Sequence, residues 1–357
     1  MTDMKIDLNE VRKKVDLIDF RIIKLLNERM EYVMRIRKLK DVVTDPKREQ
    51  MVIGNIQKHS QGLVRPDFSE KLFNEIIMES KRIQEQNLKS IGFQGEHGAY
   101  GEVAVISFDK AMVPLPCREF SDVFEVVSEG QIDFGIVPVE NSLEGAVTEV
   151  NDLLVMTDLK IVGEVKLPIH HSLLALPETD YREIKMVYSH PQALAQCRGF
   201  LSRNNLEPIP FYDTAGAAKM ISDTRAKAAA AIASKSCAEL YNLEIIKEEI
   251  EDNKSNFTRF LILAKEPSKE PGNKCSIVFS TKHEAGTLFT VIEIFSDADI
   301  NLTRIESRPI RNDPGKYAFF LDFQGLDRDT KVIKALESVQ QKSVMFKFLG
   351  CYKEAVL

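Results

Sequence analysis

No apolar run in the 357-residue sequence approaches the roughly 20 residues that a bilayer-spanning helix needs, which argues against a membrane protein. The five cysteines, Cys117, Cys197, Cys237, Cys275 and Cys351, are scattered and odd in number, and none is spaced CxxC. Neither a disulfide framework nor structural zinc is expected from them. The histidines are as sparse. His170 and His171 are adjacent, so on a strand they would point to opposite faces and could not share a metal there. Nucleotide fingerprints are missing too: the glycines of the Ile91–Gly101 segment fall at 92, 95, 98 and 101, which is neither GxGxxG nor GxxxxGK[ST]. No metal and no cofactor are expected. Met1 to Glu10 is polar and carries no apolar signal segment, which points to a cytoplasmic protein.

What is present fits a soluble globular chain of two or three domains, with 44 % hydrophobic and 29 % charged residues. The net charge of −6 is uneven: residues 1–89 hold 19 basic and 15 acidic residues, leaving −10 for the remainder. A mildly basic segment of this kind suits small anions better than nucleic acid, which calls for a broad basic face. Three regions differ in period. Residues 1–88 read as helix throughout, and residues 90–265 alternate short β runs with helices. After the Pro/Gly-containing linker Glu266–Asn273, residues 274–357 read strand, helix, strand, strand, helix, strand.

The first helix is expected over Leu8–Lys40, with Leu8, Val11, Val15, Ile18, Ile22, Leu25, Val33 and Ile36 on one face. At about 1.5 Å per residue it is roughly 50 Å long, too long for two shorter helices of the same chain to cover, so a partner chain is expected along it. Arg29 and Lys40 interrupt that apolar stripe, and Arg12 lies at its edge. A second helix is expected from Asp45-Pro46, with Asp45 as its cap and Arg48 and Glu49 following; a third spans Asp67–Leu88, with Ser80 and Gln84 on its inner side. Any one of these residues alone reads as an interhelical ion pair or a snorkelling side chain. Several cations, an acid and two hydrogen-bonding groups converging in three helices read as a pocket for a small dianion.

With these residues in hand, the segment resembles the all-helical chorismate mutases, on Leu8-Asn-Glu-Val-Arg12, Asp19, Leu26-Asn-Glu-Arg29, Lys40, Asp45-Pro-Lys-Arg48-Glu49 and Ser80/Gln84. The resemblance implies a pericyclic rearrangement of chorismate to prephenate. Arg29 and Arg48 would bind the carboxylates with Arg12 from a second subunit, Lys40 and Gln84 would bond the ether oxygen, and Asp45, Glu49 and Ser80 would orient the substrate.

In residues 90–265, polar clusters follow apolar strands at Glu140-Asn141-Ser142, at Ser189-His-Pro-Gln-Ala-Leu-Ala-Gln196 and at Asn256-Phe-Thr258-Arg259-Phe260. Ligands bind at the carboxyl ends of strands in open α/β sheets, although Ser and Asn also serve as ordinary caps and turns. Together with Gly92-Phe-Gln-Gly95 and Asp213-Thr-Ala215, these motifs resemble prephenate dehydratases. The resemblance implies a two-lobed α/β domain like the periplasmic binding proteins, with prephenate in the cleft. Thr258 would contact the leaving hydroxyl, and Ser189, Gln196 and Asn141 would position the ring. Arg259 would hold the pyruvyl carboxylate, and Glu140 would be a weaker proton-donor candidate. Ser142 and Asn256 complete the expected substrate-binding set.

The βαββαβ order of residues 274–357, with a turn at Asn312-Asp-Pro-Gly315, resembles the ACT regulatory domain on Gly286-Thr287-Leu288-Phe289 and Glu306-Ser307-Arg308-Pro309. The resemblance implies an effector site for phenylalanine at a dimer interface, built from these two motifs. The expected fold class is thus multidomain: an all-α three-helix domain, a two-lobed α/β domain and an α+β ACT domain. A mutase fused to a dehydrogenase would need the missing GxGxxG. A mutase fused to a non-catalytic aromatic-metabolite sensor would have no use for Thr258.

Overall fold

A computed structural model describes residues 7–40, 42–60, 62–310 and 316–356. The chain divides into two compact units, 1–88 and 89–357.

The first unit holds helices α1 (Leu8–Lys38), α2 (Pro46–His59) and α3 (Pro66–Glu85). Asp7 caps α1 by accepting from the Asn9 N–H at 3.0 Å, and Asp45 caps α2 by accepting from the Arg48 N–H at 3.0 Å, with Pro46 supplying the fixed φ of a first turn. Only the C-terminal part of α1 packs deeply, through Val33 and Met34, while α3 buries Ile76, Ser80 and Gln84. The rest of the expected apolar face, including Val11, Val15, Ile18, Ile22 and Leu25, is 41–63 % exposed. The unit has too little apolar surface of its own to cover a helix about 46 Å long.

The second unit begins with strands β1 (Ser90–Gln94), β2 (Val113–Cys117), β3 (Phe134–Asn141), β4 (Gly145–Ala146) and β5 (Lys160–Pro168). The chain then crosses into a second lobe holding β6 (Ser172–Ala175), β7 (Met186–Ser189), β8 (Glu207–Pro210), β9 (Ala229–Ala233) and β10 (Glu244–Lys247), and returns as β11 (Phe257–Ala264). The first sheet has the order β2-β1-β3-β11-β5 and the second β10-β6-β9-β7-β8. Two crossovers, 169–171 and 248–256, therefore join two α/β lobes, and the seam between the lobes is where the cleft is expected. The buried carboxylate of Glu251 ties the crossovers together, accepting from the His171 backbone N–H at 2.9 Å and contacting His170 Nδ1 at 2.8 Å.

Strands β12 (Lys274–Ser280), β13 (Leu302–Pro309), β14 (Tyr317–Gln324) and β15 (Met345–Tyr352) form a separate antiparallel sheet in the order β13-β14-β12-β15, with helices Thr287–Asp297 and Thr330–Lys342 packed on it. The Asn312–Gly315 turn lies outside the described residues. This βαββαβ layer belongs to the same compact unit as the two lobes. Strand β15 runs against β5, and a side chain at Gly350 would collide with the Ile161 carbonyl. Among the described residues no helix is long and apolar enough to cross a membrane.

Candidate functional site

In the helical unit, a pocket of about 210 Å³ is lined by Met34, Arg37, Lys38, Lys40, Ile83, Gln84, Asn87 and Leu88. Lys40 and Gln84, the ether-oxygen contacts that the resemblance implies, thus border one hollow. Arg37 closes its floor, donating to the Lys40 carbonyl at 3.0 Å and to the Gln84 carbonyl at 3.3 Å. Gln84 is buried and its amide donates to the Val33 carbonyl at 3.0 Å. Arg29 is half-buried and donates to Ser80 Oγ at 2.5 Å; partial burial lowers its pKa from the ordinary arginine value. Glu49 pairs with Lys81 at 2.8 Å, joining α2 to α3. Arg48 is exposed, and Asp45 spends an oxygen on its helix cap. Arg12 sits exposed near the start of α1, about 42 Å along the helix from Lys40, and cannot reach the pocket of its own chain.

In the second unit, strand register decides which residues share the cleft. Thr258 on β11 pairs with Asn141 on β3, and Arg259 pairs with Glu140. Because side chains alternate across a strand, Thr258 and Asn141 face one side and Arg259 and Glu140 the other. The Asn141 amide is oriented without ambiguity. Its Oδ1 accepts from the backbone N–H groups of Leu143 at 3.0 Å and Glu144 at 3.2 Å, so its Nδ2 is the atom facing Asn256 Oδ1 at 2.8 Å and Thr258 Oγ1 at 3.0 Å. The Thr258 oxygen therefore accepts from Asn141, which leaves its own proton for a ligand. Ser142 Oγ lies 3.3 Å from Asn256 Oδ1 and accepts from the Phe257 N–H at 3.0 Å, pinning the same turn.

The network continues into the other lobe. Asn256 Nδ2 donates to Gln196 Oε1 at 3.2 Å, and Gln196 Nε2 donates to Glu144 at 3.2 Å. Since Gln196 Oε1 is an acceptor, the ring nitrogen facing it at 2.8 Å, His171 Nε2, carries the proton. Nδ1 then faces the Tyr100 hydroxyl at 2.8 Å, whose one proton is shared with the His170 carbonyl at 2.7 Å. Burial lowers the His171 pKa, outweighing the Gln196 bond and nearby Glu251, in agreement with a neutral imidazole. His171 and Tyr100 were not singled out by sequence. Their placement depends on the first crossover, and the only sequence signal was the His170–His171 pair.

Three expected substrate contacts are corrected. Arg259 is turned away from the cleft and 2 % exposed; Nε bonds Glu164 at 2.6 Å, Nη1 bonds Asp322 at 2.6 Å, and Nη2 donates to the Tyr352 hydroxyl at 2.9 Å. Burial disfavours its charge, but Asp322, Glu164 and Glu140 more than compensate and raise its pKa well above the usual arginine value. Burial likewise opposes the charge on Asp322, yet Arg259, Arg304 and the Ser276 hydroxyl hold that carboxyl below its ordinary range. Glu140 follows Arg259 to the same face, where Arg304 Nε lies 3.1 Å from its carboxylate. Ser189 is fully buried and donates to the Ile232 carbonyl at 2.6 Å, joining β7 to β9 rather than facing the cleft.

These two sites can be set against known proteins. A family profile for prephenate dehydratase matches residues 91–268, one for chorismate mutase type II matches 11–85, and one for the ACT domain matches 276–341. The bifunctional chorismate mutase/prephenate dehydratase of Aquifex aeolicus is 35 % identical over 364 aligned residues, covering 98 % of this chain and 99 % of the relative. The chain belongs to the bifunctional chorismate mutase/prephenate dehydratase family. Two solved structures each cover 74 % of the chain. One is described as a novel type of quorum quenching acylase (32 % identity, TM-score 0.69, 97 % of that chain). The other is the prephenate dehydratase of Arthrobacter aurescens in complex with L-Phe (30 % identity, TM-score 0.67, 90 % of that chain). The protein is accordingly an isomerase and a lyase on one chain.

The ACT motifs of this mutase/dehydratase are split between faces. Gly286 takes a left-handed φ of +85° where the loop enters the helix, a conformation that favours glycine. Thr287 spends its hydroxyl on the loop before it, donating at 2.9 Å to the Lys282 carbonyl, while Leu288 is half-buried and Phe289 is 64 % exposed. On β13, alternation leaves Ser307 exposed and turns Glu306 and Arg308 inward, with Arg308 Nη2 3.5 Å from the Ala146 carbonyl. The three residues of that motif therefore do not all face one ligand, which corrects the expectation from sequence.

Proposed function

We propose that chorismate binds among the three helices, with its carboxylates on Arg29, Arg48 and the partner subunit's Arg12. Lys40 and Gln84 lie against the ether oxygen, and Asp45, Glu49 and Ser80 fix the conformer. The rearrangement needs no acid, base or covalent step; holding the reactive conformer and neutralising charge on the breaking ether carries the rate. The shared hollow of Lys40 and Gln84 supports this reading. Prephenate is then bound in the interlobe cleft by Asn141, Ser142, Gln196 and Asn256. The bond from the ring to its carboxylate breaks, its electrons enter the ring as carbon dioxide leaves, and the C–O bond to the para hydroxyl breaks with them. Thr258 donates a hydrogen bond to the departing hydroxide, which takes its proton from solvent and leaves as water. The single observation that carries this is the fixed Asn141 amide, which makes Thr258 a donor toward the cleft.

The functional segments are taken as 1–88, 90–265 and 274–357. Phenylalanine is the proposed allosteric inhibitor, at a site including Gly286–Phe289 and Ser307, and its differential affinity for two arrangements of the chain would carry the regulation. The exposed stripe of α1 supports a homodimer in which a second copy covers it, and the setting is read as cytoplasmic. Incubating the protein with chorismate and no nucleotide tests the whole. Phenylpyruvate is expected; an end point at prephenate would return the sensor reading of the central domain.

A further inference from the structure

Strand β13 of the ACT layer carries Arg304, Glu306 and Arg308 on one face, and that face meets the hairpin formed by β3 and β4. The hairpin pairs Glu140 with Ala146 and Asn141 with Gly145, so the turn between them carries Ser142 and Glu144 of the dehydratase site. Two arginines bracket it. Arg304 Nε holds the Glu140 carboxylate at 3.1 Å, and its Nη2 donates to Asn151 Oδ1 at 2.9 Å. Asn151 in turn donates to the Val147 carbonyl at 2.8 Å and the Val139 carbonyl at 3.3 Å, on either side of the hairpin. Arg308 reaches the Ala146 carbonyl. The Arg304 side chain is 8 % exposed and lies over the Phe320 ring at 5.6 Å, so it has little freedom to move elsewhere.

We propose that Arg304 is a positioning residue for the dehydratase step: it fixes Glu140, and so keeps the adjacent Asn141 amide on Thr258. The proposal rests on the reading of Thr258 and Asn141 as the dehydratase site. It makes the regulatory strand a structural wall of that site, so that any shift of β13 is felt one residue from Asn141. Arg304 touches no reacting atom; its effect on rate passes through the orientation of Asn141. The effect should therefore fall on turnover rather than on substrate capture.

The test uses the full chain, with the unfolding transition of residues 89–357 followed by calorimetry as the control for a folded dehydratase unit. Arg304→Gln should lower dehydratase kcat about tenfold with KM within about twofold, Arg304→Lys should recover part of the loss, and the Arg304→Gln/Glu140→Gln double variant should fall no further than either single variant. A wild-type kcat in Arg304→Gln, or losses that multiply in the double variant, would overturn the proposal. If Arg304→Gln does not fold, Glu140→Gln, altering a partly exposed side chain, carries the same expectation and the same refutation. A parallel Thr258→Ala separates the two readings. Loss in Thr258→Ala with none in Arg304→Gln sinks only the inference, whereas full activity in Thr258→Ala sinks the site itself.

Discussion

Replacing Arg259 by methionine distinguishes a buried clamp from a substrate-binding residue. The substitution keeps the apolar stem and removes a charge shared by Glu164, Asp322 and Tyr352. Glu164 retains Lys274 at 3.2 Å, so the orphan is Asp322, whose carboxylate loses a 2.6 Å partner and keeps the Ser276 hydroxyl. Breaking one buried pair costs about 3–5 kcal/mol, and the surviving Lys274 contact favours the lower end. At about 2–4 °C per kcal/mol for a unit of this size, the unfolding transition of residues 89–357 should drop by about 6–12 °C in scanning calorimetry. Adding Asp322→Asn removes the stranded charge and should recover roughly half of the loss. Were Arg259 a grip for the pyruvyl carboxylate, methionine would raise KM, leave the transition in place and gain nothing from Asp322→Asn. A melting point within about 1 °C of wild type together with a raised KM would refute the clamp.

Other outcomes follow from the same geometry. Lys40→Ala should abolish mutase turnover while far-ultraviolet circular dichroism retains the helical signal and dehydratase activity stays intact. Co-expressing Arg12→Ala and Lys40→Ala chains should restore about a quarter of the wild-type mutase sites, because half of a random mixture is heterodimer with one complete site; no recovery would show that Arg12 does not cross between subunits. His171, with its pKa lowered from 6.5 by burial, resists a proton that the unfolded chain accepts. Stability should therefore be complete above about pH 6.5 and fall as pH drops from there toward the folded value. His171→Gln should flatten that slope in denaturant titrations across pH.

Much of this architecture is legible in the sequence where periodicity is strong. The helices of the first unit and the succession of strands and helices in residues 274–357 follow from apolar spacing, caps and turn signals. The exposed length of α1 was also readable, since three helices of these sizes cannot bury it. The side that Arg259 takes is not written in its motif: adjacent residues on a strand point opposite ways, but nothing local says which of Thr258 and Arg259 faces the cleft. That is decided by Glu164 and Asp322, distant in sequence by 95 and 63 residues. His171 escaped notice similarly, because its partners Tyr100 and Gln196 converge only after the chain crosses between lobes. Ala229–Ala233, rich in a helix-favouring residue, is a fully buried strand, its small side chains suiting a position packed on both faces.

The sharpest single measurement follows Thr258→Ala and Thr258→Ser with chorismate at neutral pH by chromatography of the products. Loss of one preorganised donor to developing charge costs about 10²–10³ in rate. Thr258→Ala should therefore accumulate prephenate at the wild-type mutase rate, while Thr258→Ser, which keeps the hydroxyl, proceeds to phenylpyruvate. Phenylpyruvate appearing from Thr258→Ala as fast as from wild type would contradict the account.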